Sequence, residues 1–169
     1  TALADVLINT QIMLTPDMRR AEFERLGIPV LQAMTYRRGD AAHWQANPQG
    51  VPLMDVPFYL AQAELAGVTD IQVASASGEG DAPIAAIPPQ ADAVVGKALR
   101  LVALQRKANA DKRLSVFFWN YPPGEKNLSA SFLNVPRSLQ TTLAALRAQG
   151  YDAEVPSEPE LIAKLQRLL

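Results

Sequence analysis

The 169-residue sequence contains no cysteine and a single histidine. The first absence excludes disulfides, thiolate metal sites, iron–sulfur ligation and a cysteine nucleophile. The second excludes any centre built on two or three imidazoles. A surplus of one charge is missing too: 16 basic side chains against 17 acidic ones leave a formal charge of -1. That removes the basic footprint by which nucleic-acid binders neutralise phosphates. No apolar run approaches the roughly 18 residues that cross a bilayer, and no basic segment followed by an apolar stretch and a small-residue cleavage site marks a secretory signal. Neither G-x-x-x-x-G-K-[ST] nor G-x-G-x-x-G occurs, and the pair Gly78 and Gly80 precedes prolines rather than opening a helix.

What remains is a chain of 49% hydrophobic and 20% charged residues, of a size that forms one domain of about 100–200 residues and buries roughly two thirds of its unfolded surface. Val6-Leu7-Ile8 opens a strand over 5–10, Asp17 to Leu26 reads as a charged helix stopped at Gly27, and 28–34 reads as the next strand. Strand, helix and strand at this spacing predict a βαβ unit. A short helix is expected near 40–45, a longer one over 55–66 from the spacing of Val56, Leu60, Ala61 and Leu65, and a third strand over 70–74. Residues 75–89, rich in glycine, proline and small side chains, read as a surface loop or a hinge. An amphipathic helix follows over 91–109. The β-branched and aromatic run RLSVFFWN predicts a strand over 113–120, and 121–131 a loop. Pro136, with Asn134 near the cap and Leu139, Leu143 and Leu146 at helical spacing, predicts a helix ending at Gly150. A strand-like YDAEV and a last helix over 159–169 complete the reading. The fold class is α/β, a mostly parallel sheet flanked by helices in a Rossmann-like or flavodoxin-like layout. It is expected as a single domain over 1–169, and the abrupt start at Thr1 suggests excision from a longer chain.

Ligands of open α/β sheets sit beyond the carboxyl ends of the strands. Asn120, Tyr121, Glu125, Lys126 and Asn127 fall there on this reading, in a segment stiffened by Pro122 and Pro123. From spacing alone the segment reads first as a rigid turn with exposed charges. Trp119 and Tyr121 suit either stacking on a flat ligand or the end of a core. His43, beside Trp44, reads as exposed or lightly packed. Glu22 and Glu24, two apart on a helix, cannot share a face. Lys97, Arg100, Arg106, Lys107, Lys112 and Arg113 read as a solvated face rather than an anion groove.

RLSVFFWNYPPGEKNLSASFLNVPRSLQTTLAALRAQGYDAEV resembles a stretch of the large chelatase subunits that insert cobalt or magnesium into tetrapyrroles, the aerobic cobaltochelatase branch above all. The resemblance rests on Asn120-Tyr121-Pro122, Lys126-Asn127, Ser129-Ala130-Ser131, Leu133-Asn134-Val135, Ser138-Leu139 and Gly150-Tyr151. Upstream it extends to Leu26-Gly27-Ile28-Pro29-Val30, to Trp44 with Pro48-Gln49-Gly50, and to Glu64-Leu65 with Gly67. Two departures stand out. Ala63 and Ala66 replace a proline and an aspartate of the family's P-E-L-D-G element, and Phe132-Leu133-Asn134 stands where many members have Gly-Leu-Asp.

The resemblance implies an internal piece of a much longer enzyme, a metal–tetrapyrrole ligase of cobalamin biosynthesis. That enzyme's large subunit binds a hydrogenobyrinate-type tetrapyrrole, while AAA-type partner subunits hydrolyse ATP. The parent complex would use ATP, magnesium and cobalt, with no cofactor or metal ligand assigned to this segment. By matched position, Glu64, Glu125 and Asn127 are candidate polar or proton-accepting groups toward substrate, alongside Asn120, Tyr121 and Lys126. No catalytic residue is assigned. The segment is expected to be cytoplasmic, a scaffold or pocket wall inactive alone. The alternatives are a magnesium chelatase large-subunit fragment, a stand-alone small-ligand module of periplasmic-binding or flavodoxin-like layout, and a pure interaction domain.

Overall fold

In a computed structural model, which describes residues 4–78, 80, 82–118, 128–130 and 132–167, the chain builds a mixed, mostly parallel sheet flanked by helices, an α/β layout. It forms two compact units, Thr1–Gln105 and Arg106–Leu169.

The first unit runs β1 (Leu7–Asn9), α1 (Pro16–Leu26), β2 (Val30–Tyr36) and α2 (Ala41–Ala46). A 3-10 turn at Leu53–Asp55 and a π-helical turn at Pro57–Ala61 lead into α3 (Gln62–Leu65), followed by β3 (Asp70–Ala76), β4 (Ala85–Ala86) and α4 (Pro88–Arg106), whose last residue opens the second unit. The sheet order is β1-β2-β3-β4, with the first three strands parallel and β4 antiparallel to β3. Leu7 pairs with Val30 and Leu31 with Asp70. A strand covered on both faces reads as a near-continuous apolar run, and β2 does so: Val30, Leu31, Met34 and Tyr36 are all buried.

Right-handed crossovers between parallel neighbours carry the connecting helices to one side of a sheet that winds in one direction. Phe23 of α1 and Ala63 of α3 accordingly share a core with Val30 and Ile71, while Tyr59 and Trp44 join Met34, Tyr36 and Val73. Asp70 alternates with Ile71, so its carboxylate leaves from the opposite face. There Lys97 of α4 meets it at 2.7 Å, and Gln105 Nε2 donates to the Asp5 carbonyl at 3.2 Å. Pro16 sits in the first turn of α1, and Gly27, at φ 63, closes it with its amide on the Phe23 carbonyl. Both features are as the sequence indicates.

The expected helix over 55–66 is different in kind. Pro57 has no N–H to continue a regular ladder, and the π-helical turn that it opens shifts the helical phase. Tyr59 and Ala63 therefore face inward, while Phe58 and Leu65 are exposed. Within 75–89, β3 continues to Ala76, Ala85–Ala86 pairs with it, and Pro88 opens α4.

The second unit has a 3-10 turn at Asn109–Asp111, a hairpin of β5 (Ser129–Ala130) and β6 (Leu133–Asn134), α5 (Val135–Ala148) and α6 (Glu158–Gln166). Asn134 caps α5 as expected, its Oδ1 accepting from the Arg137 amide at 2.9 Å. The Glu160 carboxylate accepts from the backbone amide and hydroxyl of Ser157, both at 2.8 Å, which fixes the start of α6. Phe132, at the hairpin tip, has φ 70, a conformation that costs little only for glycine.

Two expected strands are not formed among the described residues. Residues 113–118 carry no strand pairing, and Trp119 and Asn120 lie outside the described residues. Strand propensity measures fit to a pleated surface between neighbours, and no described residue of this unit supplies one. YDAEV is likewise unpaired: the Ala153 amide bonds to the Tyr151 carbonyl at 3.0 Å, a tight turn that interrupts extension. The stretch expected as a loop over 121–131 contributes β5.

Candidate functional site

Of the six residues singled out by the sequence, Glu64 is the one within the described structure; Asn120, Tyr121, Glu125, Lys126 and Asn127 lie outside the described residues. Glu64 is exposed, and with Arg20, Glu24, Phe23 and Leu65 it lines a cavity of about 290 Å³. Arg20 donates from Nε to the Leu65 carbonyl at 2.7 Å and also from Nη2. It thereby satisfies a carbonyl at the end of α3, where the helix dipole favours a cation. The same geometry anchors the turn that carries Glu64. Two carboxylates and a guanidinium on one wall can contact a polar or cationic group, and Arg20 is already committed to the backbone.

A second polar constellation lies at the carboxyl end of β1, where Asn9 stands opposite Gln32 in the first half of β2. Gln32 is buried in an otherwise apolar strand, and its Oε1 accepts from Asn9 Nδ2 at 2.6 Å while its Nε2 donates to the Gln11 carbonyl at 3.2 Å. Asn9 Nδ2 also donates to that carbonyl, at 2.6 Å. These bonds hold the segment leaving β1 against β2, and a buried amide left unpaired there would cost about 1–3 kcal/mol. The sequence reading overlooked this site. Its signal was available, a glutamine within VLQAMTY.

Beyond β2, Asp40 caps α2. Its Oδ1 accepts from the His43 amide at 2.9 Å and lies 2.8 Å from His43 Nδ1. Chiefly through that amide, then through the His43 side chain, its carboxyl is held below the usual range. The His43 side chain is about half exposed, as expected. Asn47 Nδ2 donates to the Tyr36 hydroxyl at 3.2 Å, tying the residue after α2 to the end of β2. Among the described residues, no group of three or more histidines and acids is placed to hold a metal ion, and no helix is long and apolar enough to cross a membrane.

The family model described as CobN/Magnesium Chelatase matches residues 1–168. The chain belongs to that family. The aerobic cobaltochelatase subunit CobN of Pseudomonas aeruginosa is 33% identical over 153 residues, covering 83% of this chain and 12% of that protein. A magnesium-chelatase subunit of Chlorobaculum parvum is 28% identical over 154 residues, covering 90% of this chain and 12% of its own length. Among solved structures, the catalytic subunit of cobaltochelatase from Mycobacterium tuberculosis matches with a TM-score of 0.71 and 26% identity, over 88% of this chain and 14% of that one. The CobN/magnesium chelatase chain described here thus spans 12 to 14% of the length of these relatives. Phe132 holds a positive φ, and Ala66, which follows Glu64-Leu65, is fully buried.

Proposed function

We propose that this chain is a scaffold or pocket-wall domain of the tetrapyrrole-binding large subunit of an ATP-dependent metal chelatase, one that inserts cobalt into a corrin-type ring in the cytoplasm. The observation that favours cobalt is the 33% identity to the cobaltochelatase protein of P. aeruginosa against 28% to the magnesium-chelatase protein of C. parvum, over nearly equal lengths. ATP hydrolysis falls to separate AAA-type subunits, in keeping with the missing phosphate-binding motifs in this sequence. The metal is cargo in this scheme. Glu64, Glu125 and Asn127 offer oxygen donors or proton acceptors toward ring or ion, and Asn120, Tyr121 and Lys126 complete the proposed contact set. The reading favoured second, a magnesium chelatase large subunit, rests on the 90% of this chain that the C. parvum protein covers.

The deciding experiment assembles the full-length large subunit carrying this sequence with its ATPase subunits. It offers cobalt with a hydrogenobyrinate-type ring and, separately, magnesium with protoporphyrin. Cobalt insertion supports the proposal; magnesium insertion in its place establishes the second reading. Glu125→Gln together with Asn127→Ala is expected to weaken ring binding about tenfold, the scale of one lost charged hydrogen bond. The 169-residue chain alone is expected to turn nothing over.

A further inference from the structure

Leu114-Ser115-Val116-Phe117-Phe118 has the composition of a strand interior and the surroundings of none. Leu114 and Val116 line a cavity of about 370 Å³ together with Leu143 and Leu146 of α5 and with Tyr151. The Lys112 ammonium stands 5.7 Å from the Tyr151 ring centroid, fixing the start of the segment beside the stretch that follows α5. In a strand Leu114 and Val116 share one face, turned toward α5 across that cavity and still about half exposed, and Phe117 points from the other. Phe117 is 95% exposed. Apolar side chains on both faces mark a strand sandwiched between two layers. Here one layer is present, and among the described residues of the unit no strand lies along either edge.

We infer that Leu114–Phe118 is a strand of a second α/β layer, and that its partner is an edge strand from elsewhere in the large-subunit polypeptide, joined by main-chain hydrogen bonds. This rests on the proposal that the chain works within such a subunit. Relatives about eight times as long supply ample polypeptide, since the chain spans 12% of CobN and 14% of the solved cobaltochelatase subunit. A second copy of the chain is the weaker occupant. Two bare segments laid together satisfy one edge of each and still leave the Phe117 face without a covering layer. An α/β sheet provides both the edge and the layer.

Amide hydrogen exchange over 114–118 tests the inference. In the 169-residue chain these amides are expected to exchange within about tenfold of an unstructured peptide, and in the full-length subunit at least about a hundredfold slower. Rapid exchange in both overturns the inference. Slow exchange in the 169-residue chain at low concentration also overturns it, because the pairing is then internal. So does protection that grows with that chain's concentration, which identifies a second copy. Phe117→Glu is expected to leave the circular dichroism of the 169-residue chain unchanged and to cost the full-length subunit at least about tenfold of its protection at 114–118; unchanged protection overturns the inference. None of these readouts depends on metal insertion. An inactive but protected subunit would count against the proposed function while leaving the strand assignment standing.

Discussion

Five of the seven residues of β2 are buried, whereas in Leu114–Phe118 the side chains of Leu114, Val116, Phe117 and Phe118 are all exposed. Both stretches are rich in residues that favour strands, and both follow a short connection. The difference lies in their neighbours. β2 has β1 along one edge, β3 along the other and helical side chains from α1 and α3 above it. Among the described residues of its unit, the second stretch has α5 beside it and no paired strand. Strand propensity is therefore realised only where edges and a covering layer are both within reach.

The largest expected effect comes from trading like for like across this pair. Met34→Ala removes a side chain that is 1% exposed and should cost the first unit about 2–5 kcal/mol; Phe117→Ala should cost the 169-residue chain less than about 0.5 kcal/mol. Urea titration followed by Trp44 emission, in a Trp119→Phe background, reads the first, since Trp44 packs on the core that contains Met34. Hydrogen exchange reads the second. Equal costs would dissolve the contrast between buried and bare stretches.

Gln32→Leu makes β2 as apolar as the exposed stretch while taking away the bond from Asn9 and the bond to Gln11. A loss of about 1–2 kcal/mol is expected, and a gain would mean that the polar network is not what secures the turn after β1. At Phe132 the sign reverses. Replacement by glycine relieves a φ of 70 and should stabilise the hairpin and the start of α5 by about 0.5–1 kcal/mol, seen as slower exchange of the first α5 amides.

The smallest effect is a titration. The Ser157 amide, more than any other contact, holds the Glu160 carboxyl below its ordinary 4.5. A carboxyl lowered in the folded state adds stability that is complete above the unfolded value and lost as pH falls through the folded one. The helical NMR shifts of α6 should therefore fade as the solution is acidified below about 4.5 and stay flat in Glu160→Gln. Fading that is equal in both proteins would remove Ser157 and Glu160 as the cause.

Features determined by nearby residues were legible. Gly27 ending α1, Asn134 capping α5 and the β1-α1-β2 order all follow from local chemistry. The π-helical turn at Pro57 was not legible, because apolar spacing assumes a constant helical phase and one wide turn changes which residues face inward. The strand expected at 113–120 failed for the opposite reason: its residues describe a preference, and no described residue of its unit supplies a partner. At the candidate site, Glu64 was found by likeness to P-E-L-D-G and does line a cavity. Arg20, which anchors its turn, lies 44 positions away and carried no local signal.

One consequence follows from the order β1-β2-β3. Its connections all advance in the same sense, so the loops leaving the carboxyl ends of β1 and β2 lean the same way. Clefts in open α/β sheets appear where adjacent loops part toward opposite faces, and the described sheet has no such parting. A strand added along the outer edge of β1, reached by a helix on the other side, would produce one there. Asn9, Gln11 and the buried Gln32 already lie at that rim, held rigid by their own bonds. The first unit thus ends β1 in a polar rim whose geometry is set by its own hydrogen bonds.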